Sequence, residues 1–181
     1  SYINSNPDAK KSFSYSYDIQ LNNEIIKNSI TLNFRNFFSE FRQYNVRLFV
    51  GKFFKNTNIN GLYDFSVDSP NDYLYDNFLI GRSENTGFYS QQYLRYEGAF
   101  KYKINDFNPN DFILSINSGI TIWKWFEAYF DYGLFKNKNE PIFSGYDSGL
   151  RLNIIENYLE FFFPIYSSNG IHFNDNSYSN K

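Results

Sequence analysis

The side chains that could do chemistry are few and scattered. His172 is the only histidine. It lies in a polar stretch beside Phe173, where nothing in the pattern builds a Ser-His-Asp arrangement around it. Glu127 and Asp131 share one parity of an alternating run and could do acid-base work. Two acids on one strand face are also what any solvated sheet carries. The zinc motif HExxH is absent, as is a glycine-rich phosphate loop. Hard oxygen ligands gather at Asp68-Ser69-Pro70-Asn71-Asp72 and at residues 105–111, Asn-Asp-Phe-Asn-Pro-Asn-Asp. Such loops could hold calcium, but neither has EF-hand spacing, and Asn, Asp and Pro are the ordinary turn formers. With no cysteine, disulfides and thiolate metal sites are excluded. The expectation is a chain with no catalytic residue, no cofactor and no metal.

A second group of polar residues has a clearer pattern. Arg95, Glu97, Glu127, Asp131, Asp147, Arg151 and Glu160 all fall on the polar parity of alternating runs. If those runs are strands of a small barrel, these seven charges point into the lumen. There they need partners, because an unpaired buried charge is very costly. The lumen network could act as a plug or a binding site. Structural pairing, or a solvated sheet face, is the favoured explanation, because such charge ladders are ordinary in barrels. Trp123-Lys124-Trp125 is the sharpest local signal. Two indoles and an ammonium at a hairpin tip suit a headgroup interface, with ring bodies in apolar surroundings and polar ends wet. A soluble protein could use the same turn to close the end of its core.

The elements that must position these groups are strands. From Ser12 to Leu21 every odd residue is aromatic or aliphatic and every even one polar. Successive side chains of a strand point to opposite faces, so the run has one apolar and one wet face. Its length is about that of a tilted strand crossing a bilayer, roughly ten residues. Asn22-Asn23 reads as a tight turn. Ile26, Ile30, Leu32 and Phe34 then alternate with Lys27, Ser29, Thr31, Asn33 and Arg35. Residues 36–43 could prolong that strand or cap a loop. Tyr44, Val46, Leu48 and Val50 alternate with Asn45, Arg47, Phe49 and Gly51. Leu62 to Val67 reads as a short strand, Tyr73 to Ile80 as strand or loop, and Phe88 to Lys103 as a long strand. After a loop at 105–111, Phe112 to Ile122 and Phe126 to Leu134 form a hairpin across the Trp-Lys-Trp turn. Asp147 to Ile154 and Leu159 to Ile165 form the last hairpin, turning at Glu156-Asn157. Pro164 cannot donate to a ladder, so it belongs at a strand end, bulge or edge. Residues 168–181 read as loop.

The fold class is therefore all-β and antiparallel, an outer-membrane β-barrel or part of one, with roughly 8–10 strands in a single domain over 1–181. Composition agrees. Hydrophobic residues make up 42% of the chain and aromatics 23%, with 22 Phe and 17 Tyr, so aromatics are more than half of the apolar set. Soluble cores lean on aliphatics, whereas aromatic side chains suit the membrane-water interface. An AT-rich genome would enrich Phe and Tyr as well. The net charge of −2 with interspersed signs holds no basic stripe for nucleic acid. No apolar run approaches eighteen residues, so a spanning chain spans as strands. A chain beginning at Ser1 and lacking Met reads as a processed chain or a piece of something larger, and it carries no signal peptide. The alternative is a soluble β-sandwich that binds carbohydrate or peptide on an aromatic face.

Several strings carry a resemblance. Residues 70–74 (Pro-Asn-Asp-Tyr-Leu), 81–84 (Gly-Arg-Ser-Glu), 90–93 (Ser-Gln-Gln-Tyr) and Glu97-Gly98 resemble a stretch near the C-terminus of large metallopeptidase-like proteins of Bacteroidetes-type bacteria. Residues 121–125, 146–153 and 163–167 are similar to later parts of it. Those proteins resemble gluzincin aminopeptidases in an N-terminal portion, followed by a β-rich region. The resemblance implies that this chain is that β-rich region, in the bacterial outer membrane, with lipid and other envelope proteins or the rest of a larger chain as partners. It transfers no catalytic residue, since HExxH and its downstream Glu match no position here. The C-terminal residues 177–181 lack a closing strand with a terminal aromatic, so the sheet edge needs further sequence or a partner to seal it.

Overall fold

The computed structural model describes residues 2–7, 10–40, 42–57, 63–67, 97–102, 108–155 and 159–171. These form one antiparallel sheet in strict sequence order. The strands are β1 (Tyr2–Pro7), β2 (Lys11–Leu21), β3 (Ile25–Ser39), β4 (Arg42–Asn56), β5 (Phe112–Trp123), β6 (Phe126–Lys136), β7 (Phe143–Ile155), β8 (Leu159–Ser167) and β9 (Gly170–Ile171). β9 is a two-residue stub on Tyr166 and Ser167, so eight strands make up the body of the sheet. The fold is all-β and antiparallel as expected, but the sheet is not closed into a barrel among the described residues. β1 pairs only with β2, and β8 only with β7 and β9.

Four readings need correction or extension. Tyr2–Pro7 is a strand although its polar residues show no clean alternation. It is held by ladder pairing to β2, from Tyr2 opposite Tyr17 to Pro7 opposite Ser12. Residues 63–67 and 97–102 are not strand; they adopt bends, a turn and irregular backbone. The rest of the expected 88–103 strand and the 73–80 stretch lie outside the described residues. The ambiguous 36–43 region resolves as β3 running to Ser39, with a tight reversal at Glu40. Gly170 and Ile171 pair with β8 rather than lying in loop.

The two non-strand segments explain why the hairpin rhythm breaks between β4 and β5. Residues 63–67 and 97–102 lie together on one face of the sheet, joined by Gly98 N–H to Ser66 O (2.9 Å) and Phe100 N–H to Val67 O (3.0 Å). Phe65, Val67 and Phe100 sit in an apolar cluster with Ile25, Phe49, Phe53, Ile113 and Phe135 of the strands. Phe65 meets Phe53 at 4.7 Å between ring centroids, and Phe100 meets Phe135 at 5.5 Å. We call these segments the plug, and the sheet face that carries them the inner face. Alternation predicts a strand wherever it runs long enough, and it cannot tell a sheet strand from a segment packed on the sheet.

Glycines let the plug come close. A Cβ on Gly51 would stand 2.4 Å from Phe65 Cε1 and 3.1 Å from Ile113 Cγ2. The ring of Phe65 therefore lies directly on β4 backbone. Gly51→Val is expected to push the ring off the sheet and destabilise the fold by about 1–3 kcal/mol, as overpacking does. Denaturant titration of the folded protein measures this, and an unchanged midpoint would mean that the plug does not rest there.

Candidate functional site

The two faces of the sheet carry opposite chemistry, and the burial is inside out. On the outer face Phe13, Tyr17, Ile19, Ile30, Val46, Ile116, Ile120, Phe130, Tyr132, Leu150, Phe161 and Phe163 are all exposed by a third or more of their surface. On the inner face Lys27, Glu127, Asp131, Asp147 and Arg151 are buried. Strand period dictates this division. The register places Ile30 opposite both Tyr17 and Val50, and Asp131 opposite Asp147, so each parity lines up across neighbouring strands.

The inner face holds three charge clusters. At the end of the sheet carrying the β5–β6 turn, Arg151 of β7 pairs with Glu127, its neighbour across the ladder on β6. Arg151 Nη1 lies 3.7 Å from Glu160 on β8. Thr121 donates to Glu127 Oε1 at 3.3 Å and Gln43 Nε2 donates to the same oxygen at 3.4 Å. A recess of about 460 Å3 opens beside this cluster, lined by Gln43, Thr121, Glu127, Asn153, Lys124 and Trp125 among others.

The middle cluster binds the plug. Lys101 Nζ lies 2.6 and 2.8 Å from the two oxygens of Asp131 and 5.2 Å from the centre of the Tyr129 ring. Asp147 Oδ2 accepts the backbone N–H groups of Lys101 (2.8 Å) and Tyr102 (2.9 Å). Asp131 and Asp147 are both fully buried and stand opposite each other in the ladder.

The third cluster anchors the plug tip. Lys27 of β3 pairs with Glu97 and lies over the Phe65 ring at 4.6 Å. Glu97 also accepts the Ser66 N–H. Burial pushes the Glu97 carboxyl above its usual range, while Lys27 pulls it back. Arg47 Nη1 donates to Glu97 O at 2.6 Å and Asn117 Nδ2 to Gly98 O at 3.1 Å. These bonds hold a backbone that turns left-handed at Glu97 (φ 42°) and Ala99 (φ 56°). Such angles are uncommon for residues other than glycine and cost about 1 kcal/mol or more each.

Of the seven charges read as lumenal, Glu97, Glu127, Asp131, Asp147, Arg151 and Glu160 thus lie on the inner side. Arg95 lies outside the described residues. Glu97 sits on the plug rather than on a strand, and Asp131 pairs with Lys101 of the plug. Lys27, Arg47 and Lys101 complete the network. The parity of Lys27 and Arg47 in their strands already marked them as inward-facing.

Trp123, Lys124 and Trp125 form the β5–β6 turn, with Lys124 at φ 41°. Both indoles are more than half exposed, Trp123 stacks on Phe126 with ring planes 8° apart, and Lys124 Nζ is 5.9 Å from the Trp125 ring. No group of three His, Cys, Asp or Glu among the described residues could hold a metal ion. Asp111, in the second acidic loop, binds Lys52 and Lys136. The first acidic loop and His172 lie outside the described residues. Pro164 sits opposite Gly149 where the β7–β8 register slips, so it occupies a bulge. A Cβ on Gly149 would fall 2.1 Å from Phe163 O, which leaves only hydrogen room there.

No protein-family model, curated protein or solved structure matches this chain.

Proposed function

We propose that this chain is a non-catalytic wall segment of an outer-membrane β-barrel, which anchors or assembles with a larger envelope protein of the metallopeptidase-like kind that its sequence resembles. The observation that carries the reading is the inverted burial. Ile, Phe, Leu and Tyr side chains on one face are exposed while five charged side chains on the opposite face are buried. In water this arrangement leaves a broad apolar patch wet, far beyond what soluble proteins tolerate. In lipid it is the ordinary arrangement of a spanning barrel, apolar outward and polar inward. A soluble sandwich would turn the Phe130 face toward a second sheet, and the described residues form a single sheet.

The connections support an orientation. At one end the strands join through short links, at residues 7–11, 39–42, 123–126 and 155–159. At the other end lie the 57–111 stretch and the 137–142 loop, with two shorter turns. Barrels of this class keep short turns on the periplasmic side and long loops outside. The plug then enters from the outer side, and the Trp-Lys-Trp turn marks the periplasmic interface.

Fractionation of the native protein followed by a heat-shift gel in mild detergent tests the reading. The expected result is recovery in the outer membrane, with boiled and unboiled forms migrating differently. Recovery as a soluble protein without a shift would sink it, and the aromatic face would then be a ligand surface.

A further inference from the structure

The two indoles of the Trp-Lys-Trp turn serve different surfaces. The β5–β6 register slips between Thr121 and Trp123, and Trp123 stacks on Phe126, which shares the outer-face parity of Phe130. Trp125 instead lines the recess of about 460 Å3 beside the Arg151–Glu127 pair, together with Phe37, Gln43, Thr121 and Asn153. A recess of about 300–1,000 Å3 with apolar walls and a few polar groups is the usual form of a small-molecule site.

Its floor is a row of polar side chains across four strands. Gln43 of β4 stands one step beyond the Tyr44–Ile120 pair and donates its N–H to Thr121 of β5. Thr121 faces Glu127 of β6, and Glu127 faces Arg151 of β7. Asn153 lies two residues further along β7. These four strands carry ladders on both sides, so recognition falls to side chains. Glu127 is fully engaged: Oε1 accepts from Thr121 and Gln43, and Oε2 pairs with Arg151. Two acceptors are not engaged. Gln43 Oε1 and Asn153 Oδ1 are buried without a hydrogen-bond partner, and Gln43 as a whole is only 6% exposed. A bare buried acceptor is costly, and native folds seldom keep one without a reason. Both oxygens lie just under the recess surface, and a small turn about the soft terminal torsion of either amide brings its oxygen to that surface.

The missing partner is a donor. Glu40 and Glu127 at the recess repel an anion. A cation would meet only neutral amides on the floor, because Arg151 already matches the charge of Glu127, and a poorly paired buried charge is costly. A neutral hydroxyl donates to an amide oxygen without that penalty. The backbones of β4 and β7 stand three inter-strand spacings apart, on the order of 14 Å. One ligand that reaches both amides is therefore longer than a single sugar ring. We propose that this recess binds a neutral oligosaccharide of two or more hexose units, whose hydroxyls donate to Gln43 Oε1 and Asn153 Oδ1 while the CH face of one ring lies on Trp125. The recess is on the face opposite Phe130, so the site stands whether lipid or water meets the outer surface.

The test is a fluorescence titration of the full chain carrying Trp123→Phe, which leaves Trp125 as the sole indole. The protein is held in micelles of lauryldimethylamine oxide, a detergent without a sugar headgroup. The probes are cellobiose, maltose and N,N′-diacetylchitobiose, with glucose and butylammonium chloride for comparison. The expected result is a saturable change in Trp125 emission with at least one disaccharide, at a millimolar Kd or tighter, and binding of glucose at least about tenfold weaker. Gln43→Ala and Asn153→Leu are each expected to weaken the disaccharide by about tenfold or more. Asn153→Leu is expected to leave the urea midpoint unchanged or raised, since the oxygen it removes has no partner. A disaccharide response unaltered in both variants would overturn the proposal, because the sugar would then merely lie on the exposed indole. A response to butylammonium alone would overturn it in favour of a cationic ligand. Silence with every probe would overturn it and leave the recess to water. A chain that stays folded without detergent is titrated in buffer with the same probes, so the membrane reading and the sugar site fail separately.

Discussion

Phe130→Arg is expected to abolish stable insertion. Phe130 lies near the centre of β6, on the outer face, and is 48% exposed. Its cross-strand neighbour on β5 is Ser118, and on β7 Ser148. A guanidinium there would face hydrocarbon at mid-strand, too far from either end of an eleven-residue strand to reach the interface easily. The penalty for Arg near the bilayer midplane is about 2–4 kcal/mol. Phe130→Leu, which keeps the face apolar, is the control and is expected to insert normally. The measurement is the fraction of chain recovered in the outer membrane in heat-shifting form. Wild-type recovery of the Arg variant would remove β6 from the lipid face. In a soluble sheet with that face in water, the same substitution would be close to neutral, because surface changes are usually within about 0.5 kcal/mol. The two readings therefore diverge on one variant.

Lys101→Met is expected to be the most damaging change to the interior. It removes the cation that sits 2.6 Å from Asp131, in a place where the two side chains are 6% and 0% exposed. Asp131, which faces Asp147 as its ladder partner, would lose its counter-charge in a buried site. Breaking a buried pair by deleting one partner costs about 3–5 kcal/mol, because the other charge remains desolvated and uncompensated. The double variant Lys101→Met/Asp131→Asn is expected to recover much of that loss, since the uncompensated charge is gone. Urea titration of the micelle-bound protein provides the comparison. A single-variant loss below about 1 kcal/mol, the value of an exposed pair, would mean the plug is not seated between β6 and β7.

The sheet of this protein was largely legible in its residues. Period-two alternation over Ser12–Leu21, Ile26–Arg35, Tyr44–Gly51, Phe112–Ile122 and Phe126–Leu134 marked the strands and which side of each is apolar, because a strand offers only two faces. It marked equally which charges share a face: Glu127, Asp131, Asp147 and Arg151 stand on the inner side as their parity requires. The Trp123–Trp125 turn was legible because a reversal between two long alternating runs has nowhere else to fall.

Other features depended on the tertiary structure. β1 carries no alternation, and pairing to β2 makes it a strand. Residues 63–67 and 97–102 alternate well enough to suggest strands, yet they leave the ladder and pack on one face of the sheet. Their backbone is held by Arg47, Asn117 and each other rather than by a neighbouring strand. The partners of Glu97 and Asp131 are Lys27 and Lys101, separated from them by 70 and 30 positions. Local pattern determines which face a side chain takes, since that depends only on neighbours along the chain. Which charge it meets depends on which segments pack on the sheet face, and that is set by contacts between residues distant in sequence.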